Sequence, residues 1–269
     1  MNSRLNNFSE LINIKYNADI IKNNISGCGE ITVLACVDST NNYAKEKCRH
    51  GITDKSVIIA EKQTSGRGRQ GKSFYSPQDG GIYMSIVLNA DRLQNNTVQL
   101  MTVSASLAVC DAIETVCGVN AGIKWVNDIF VDNRKVCGIL CEAVKDVDLM
   151  SVSHYIVGIG INIGNHDFPQ DIKDIAGSID CTDVNALVCE ISNRLFTLLE
   201  NTDSERLVER YREKLIVIGK NVHFEINGEK HSGTAFDVNE SGNLLVKCEN
   251  EVFTLSSGEI SLESKNFAK

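Results

Sequence analysis

Apolar and polar positions divide the chain into three stretches. Residues 1–30 hold few periodic apolar positions and read as a short lead-in, too brief for a domain of its own. From about Glu30 to Leu215 strand-like and helical patterns are mixed. Val57–Ala60 and Ile82–Leu88, the second preceded by Gly80-Gly81, are apolar runs rich in β-branched residues and read as strands. Thr97–Val116 places Leu100, Val103, Leu107, Cys110, Ile113 and Val116 at three- and four-residue spacings, which predicts a helix. Ile129-Phe130-Val131 and Val136–Cys141 flank the polar Asp132-Asn133-Arg134, the pattern of a hairpin. Tyr155–Ile163 reads as a buried strand and Val184–Leu215 as helix again. Strands and helices do not alternate strictly, so this part is expected to be α+β around a mixed sheet, a catalytic-sized domain over residues 1–215.

From Ile216 the pattern shortens. Asn221–Ile226, Lys230–Val238, Asn243–Cys248 and Glu251–Leu255 alternate with turn residues such as Asn227-Gly228 and Ser241-Gly242, which predicts a small β-barrel over 216–269. No repeat or low-complexity linker separates the two parts, so the small one should dock directly on the large one.

Composition narrows the class. The formal net charge is −8, from 27 Lys+Arg against 35 Asp+Glu, without the basic stripe expected of a nucleic-acid binder. Ten cysteines are scattered through apolar runs with no Cys-x-x-Cys pair, and residues 1–26 lack the apolar core of a secretory leader; reduced thiols in a cytoplasmic protein are the expectation. No run approaches about 18 consecutive apolar residues, so no membrane association is expected.

Four segments could carry chemistry. Gly66-Arg67-Gly68-Arg69-Gln70-Gly71 matches G-x-G-x-x-G, but Lys72-Ser73-Phe74-Tyr75-Ser76-Pro77 follows instead of a helix, so a dinucleotide fold is not supported. Three glycines let backbone N–H groups approach an anion, and Arg67 and Arg69 add two permanent cations with no acidic neighbour in sequence. Either a loop that orders around an anion or a solvated basic turn fits. Lys124-Trp125-Val126-Asn127-Asp128, holding the only Trp, is either packing with surface polarity or a site in which Lys124 holds phosphate and Asp128 holds Mg²⁺ or orients an amine. Arg134-Lys135 adds a cation on the hairpin. Asn162, ending Ile159-Gly160-Ile161-Asn162, is a strand-end cap or a ligand contact, and Asp38-Ser39-Thr40-Asn41 is a helix N-cap whose free N–H groups could also meet a ligand.

In order, Asp-Ser-Thr-Asn, Gln-x-x-Gly-Arg-Gly-Arg, Lys-Trp-x-Asn-Asp, Arg-Lys-x-x-Gly-Ile-Leu, Gly-Ile-Asn and the terminal Gly258-Glu259-Ile260-Ser261-Leu262 closely resemble the biotin protein ligase family, over roughly residues 17–263. The resemblance implies a fold like that of class II synthetases and biotin–lipoate ligases with an SH3-like C-terminal barrel. It implies that biotin is activated by ATP and Mg²⁺ to biotinyl-5′-AMP, then passed to one lysine of a biotin carboxyl carrier domain. It assigns Ser39, Thr40, Asn41, Gln63, Gly66, Arg67, Lys135 and Gly138 to biotin, and Arg69, Phe74, Lys124, Asn127, Lys135 and Asn162 to the nucleotide. Arg67, Arg69, Lys124, Asp128 and Lys135 become the catalytic set, with Asp128 a candidate Mg²⁺ ligand. The enzyme would be a monomer or a homodimer.

Two departures stand out. Val126 replaces the family's usual proline, which frees an N–H without removing a chemical group. Some members also carry an N-terminal winged helix-turn-helix that represses biotin genes, whereas here the first motif begins at Asp38, so DNA-binding repression is not expected. Lipoate–protein ligase and a non-catalytic biotin sensor are the rivals; the arginine loop and terminal barrel favour biotin, and the cations retained beside Asp128 favour catalysis.

Overall fold

The computed structural model describes residues 15–93, 97–146, 151–164, 167–201, 203–249, 251–258 and 260–262. Its first helix, α1 (Ala18–Asn24), lies within the stretch read as a lead-in. Asn17 caps it by accepting from Ile20 N at 3.0 Å, and two asparagines of a later helix clamp its ends: Asn185 Oδ1 takes Asn17 N at 2.8 Å and Asn193 Nδ2 donates to Asn24 O at 2.8 Å. Seven residues with one buried position, Ile21, are too few for a periodic pattern. Residues 1–14, the rest of that stretch, lie outside the described residues.

Next come β1 (Ile31–Leu34), α2 (Thr40–Arg49), β2 (Ser56–Ala60), β3 (Gly81–Asn89), α3 (Val98–Cys117), β4 (Gly122–Lys124), β5 (Asp128–Val131), β6 (Arg134–Lys145), β7 (Val152–Asn162), α4 (Val184–Asn201) and α5 (Ser204–Lys214). Seven strands form one sheet in the order β1-β2-β3-β7-β6-β5-β4, parallel between β1 and β2 and antiparallel elsewhere. The β5–β6 turn is the two-residue Asp132–Asn133, both at positive φ (48° and 61°), as a type I′ hairpin requires. Val57, Ile59, Ile86 and Leu88 pack with α3 and α4, whereas Ile58, Val87 and Ile156 pack against Ala44 of α2 on the opposite face. Burial on both faces is why these strands read as continuous apolar runs.

Helix α3 is long and apolar enough to cross a membrane, with a mean hydropathy of 1.5 over its best window, yet 67% of that window is buried inside the protein. It is the central core helix, capped by Thr97 at its start and ended by Gly118 at φ 70°. All ten cysteines are free thiols.

The C-terminal part adds β8 (Asn221–Ile226), β9 (Glu229–Val238), β10 (Leu244–Cys248), β11 (Glu251–Leu255) and β12 (Ser261–Leu262), an antiparallel sheet in the order β11-β10-β9-β8-β12. The expected barrel is present as this five-stranded sheet; no pairing between β11 and β12 closes it among the described residues. It sits directly on the larger part. Gly242, in the β9–β10 turn, accepts from Trp125 Nε1 at 3.0 Å and from Gln99 Nε2 at 3.2 Å, and Arg212 of α5 pairs with Asp237.

Candidate active site

The site lies on the sheet face that carries α2. Residues on one face of a strand recur every second position. Along that face the pairs run Ile156 with Glu142, Gly158 with Leu140, and Gly160 with Gly138. Bulky side chains thus give way to glycines and open a trough over β6 and β7. Two large groups enter it. A Cβ on Gly160 would stand 2.5 Å from Phe74 Cε1 and one on Gly138 3.2 Å from Phe74 Cε2, so the Phe74 ring lies on bare backbone. The Asn41 amide lies as closely over Gly158.

A small pocket remains, lined by Ser39, Thr40, Asn41, Gln63, Arg67, Phe74, Met84, Gly138, Leu140, Gly158, Ile159 and Gly160. Its polar end is tightly bonded. Gln63 Oε1 accepts from Thr40 N at 2.9 Å and from Thr40 Oγ1 at 3.2 Å, while Gln63 Nε2 donates to Ser76 Oγ at 2.9 Å. Ser85 Oγ, buried beneath, lies 2.7 Å from Thr40 Oγ1 and 2.6 Å from Asn41 Oδ1. Ser39 is the N-cap of α2, but its side chain makes no capping bond and faces the pocket instead.

Behind Asn41 stands Glu142, between Asn41 Nδ2 (2.9 Å) and Lys45 Nζ (2.6 Å). Burial works to raise its pKa, but the bonds from Lys45 and Asn41 and the charges of Lys45 and Arg67 outweigh it and hold the carboxyl below the usual glutamate value. Arg67 Nη2 lies 3.9 Å from Glu142 Oε1, and Arg67 Nη1 donates to Asn42 Oδ1 at 2.7 Å. The sequence offers Arg67 no acidic neighbour; the fold brings one from β6.

The glycine–arginine loop is a folded flap. Arg67 pairs with Ser73 across it, Gly68 N bonds Lys72 O at 2.7 Å, and Gln70 and Gly71 turn it at φ 53° and 76°. No α-helix follows, which removes the dinucleotide reading. Gly66 does not line the small pocket; its carbonyl takes Phe74 N at 2.9 Å, and crowding by Phe74 O and Ser76 leaves no room for a Cβ.

Arg67 and Phe74 form the boundary between this pocket and a much larger cleft of about 1150 Å³ running to the C-terminal sheet. Among the described residues, Arg67, Arg69, Lys72, Lys124, Lys135 and Lys230 line the cleft with Asp128 and Glu225 as the carboxylates, a basic basin in an acidic protein. Lys135 Nζ pairs with Asp128 Oδ1 at 2.7 Å, and Arg69 Nη1 reaches Asn127 Oδ1 at 3.5 Å. Asn127 is pinned by Nδ2 donating to Ile139 O at 2.7 Å. The Trp125–Val126 peptide is cis, at the position where the resemblance has proline, and buried Tyr211 donates to Val126 O at 2.8 Å. Asn162 faces the cleft while its Nδ2 donates to Gly177 O at 2.9 Å. Lys135 lies in the cleft and not in the small pocket.

The structure therefore gathers the predicted site residues, Gly66 excepted, into two adjoining spaces. Ser85, Gly158, Glu142 and Lys45 escaped the sequence reading, and Gly160 entered it only as part of the Gly-Ile-Asn motif. The two glycines interrupt the apolar run 155–161 at alternate positions, a signal that could have found them; Ser85 and Glu142 carry no such mark.

Residues 33–162 match the Biotin/lipoate A/B protein ligase family and residues 217–263 match the Biotin protein ligase C terminal domain. The bifunctional ligase/repressor BirA of Bacillus spizizenii is 33% identical over 239 residues, 84% of this chain and 72% of that protein. The biotin–[acetyl-CoA-carboxylase] ligase of Mycobacterium tuberculosis is 26% identical, covering 87% of this chain and 90% of the other. Among solved structures, the biotin protein ligase from Aquifex aeolicus in complex with biotin and ATP superposes with a TM-score of 0.72 at 28% identity, covering 87% of this chain and 98% of that one. An acyl-activating ligase is the class that this sheet, flap and paired pocket define. Within it, the chain belongs to the biotin protein ligase family.

Proposed function

We propose that the chain is an ATP-dependent biotin–protein ligase that passes biotin to a lysine of a biotin carboxyl carrier domain. One observation carries the reading: a small, half-polar pocket opens past Arg67 and Phe74 into a basic cleft. A compact, uncharged ring head suits the polar end of the pocket, where Thr40, Asn41 and Gln63 offer donors and acceptors in fixed directions. An aliphatic tail suits Phe74 and the glycine trough, and would deliver its carboxylate to the cations of the cleft.

In the first step the biotin carboxylate attacks the α-phosphate of ATP and pyrophosphate leaves. Both partners are anions, so Arg69, Lys124 and Lys135 are needed to hold them together and to neutralise charge as it develops. Asn162 and Phe74 are assigned to the nucleotide, and Asn127 to holding Arg69 in place. Phe74 and the flap keep water from the mixed anhydride. In the second step the lysine amine attacks the biotinyl carbonyl and the bond to the phosphate breaks. AMP leaves with the electron pair, and Asp128 accepts the amine's proton once Lys135 turns to phosphate.

Among the described residues no group of three or more His, Cys, Asp or Glu could hold a metal. A magnesium ion on the triphosphate needs only one or two protein carboxylates, and Asp128 fits as one, supplying charge neutralisation at the phosphates. The need for ATP and the free thiols support a cytoplasmic location.

Pyrophosphate release with biotin, ATP and Mg²⁺, followed by labelling of a carrier domain, tests the reading. Release with lipoate and not with biotin would overturn it. Biotin binding with neither release nor labelling would point to a sensor.

A further inference from the structure

Outside the residues that meet either substrate, Glu142 bonds Asn41 and Lys45 and lies near Arg67. Its two oxygens do different work. Oε2 takes Asn41 Nδ2 at 2.9 Å; with Leu140 O on the same nitrogen at 3.2 Å, this leaves Asn41 Oδ1 facing Ser85, which in turn meets Thr40. Oε1 takes Lys45 Nζ at 2.6 Å and lies 3.9 Å from Arg67 Nη2. Two cations thus compete for one oxygen. Lys45 holds the closer place, and Arg67 is left with a loose ionic contact plus its bond to Asn42 Oδ1 at 2.7 Å. The carboxylate is mostly buried, its side chain 19% exposed, so the attraction is screened less than at an open surface.

We propose that Glu142 is a positioning residue for the small pocket, aligning Asn41 with one oxygen and anchoring Arg67 of the flap with the other, and that Lys45 sets the strength of that anchor by competing for it. The part concerning ligand affinity rests on the biotin-ligase reading; the anchoring of the flap does not. A charge that only stabilised the fold would respond alike to loss of either partner. A shared anchor predicts opposite signs: Glu142→Gln releases Arg67, whereas Lys45→Met leaves the whole carboxylate to it.

The flap carries Arg67, Arg69 and Lys72, all cleavable by trypsin, so its release can be read directly. Limited trypsin digestion of the full chain without ligand, with biotin and ATP titrations by calorimetry and a thermal melt of each variant, makes the test. Expected for Glu142→Gln are flap cleavage faster by about tenfold and biotin binding weaker by about tenfold, the loss of one charge-assisted contact, with ATP binding weakened as well because Arg69 and Phe74 ride on the same flap. Lys45→Met is expected to slow flap cleavage below that of the parent. Cleavage moving in the same direction in both variants, or parental cleavage in Glu142→Gln, overturns the proposal. Should Glu142→Gln show no cooperative melt, Lys45→Met decides: slower cleavage supports the anchor, and parental or faster cleavage refutes it. A parent that binds no biotin would refute the ligase reading and leave the digestion result to judge the anchor alone.

Discussion

The ring of Phe74 lies on the Cα of Gly160, so close that a methyl group there would stand 2.5 Å from Cε1. Gly160→Ala must therefore push the ring off the sheet and take the flap with it. Overpacking of this kind costs about 1–3 kcal/mol, and the larger effect falls on the site. Biotin-dependent pyrophosphate release should drop at least ~10-fold, the factor that about 1.4 kcal/mol represents. Adding Phe74→Ala to Gly160→Ala should restore thermal stability, because the clash is gone, but not activity. Full activity in Gly160→Ala would disprove the role given to the ring.

Arg69 reaches Asn127 across the cleft mouth. Removing its charge in Arg69→Gly takes away one of the cations assigned to the acyl-adenylate, so the intermediate should escape and acylate lysines without selection. Free biotinyl-adenylate after rapid filtration, together with label on a bystander protein, measures this. Retention equal to the parent's would sink the idea.

Glu61 is 1% exposed, and its Oε2 has no hydrogen-bond partner among the described residues, while Oε1 accepts from Lys15 N at 2.9 Å. Burial raises its pKa above the ordinary 4.5, partly opposed by the bond from Lys15. The sign follows from linkage: a carboxyl with a raised folded pKa favours the fold when protonated and costs stability when ionised. Glu61→Gln, which keeps an acceptor for Lys15, should raise the Tm at pH 8. The gain should vanish as pH falls through the folded pKa toward 4.5. A gain that persists at pH 4 would show that charge is not the cause.

Trp125 Nε1 donates to Gly242 O, tying the β9–β10 turn to the Lys124–Asp128 segment. Trp125→Phe keeps most of the buried ring and removes that bond, a loss of about 1 kcal/mol; Gly242 O still accepts from Gln99. The KM for ATP should rise while that for biotin stays near the parent's, since Trp125 touches the large cleft and not the small pocket. An equal rise in both would mean the bond supports only the fold.

Much of the architecture was legible in one dimension. Val57–Ala60 and Ile82–Leu88 each fall within a strand, and Tyr155–Ile163 does so up to Asn162, because strands buried on both faces must be continuously apolar. Thr97 and Gly118 bracket α3 by capping chemistry that is local in sequence. Helix α1 and strand β12 were not legible: one buries Ile21 under clamps 168 residues away, and the other is a two-residue strand that pairs with β8.

For the candidate site, sequence by itself named the groups proposed to take part. The Gly66–Gly71 loop, Lys124, Asp128, Lys135 and Asn162 stand in recognisable order, since catalytic side chains are specified one by one. Tertiary structure alone decided which of them meet. Pairing of Gly138 with Gly160 made room for Phe74, and the register of β6 set Glu142 behind Asn41 and within reach of Arg67. Such relations depend on strand register and long-range packing, where each partner is free to sit anywhere in the chain, and no local pattern of residues records them.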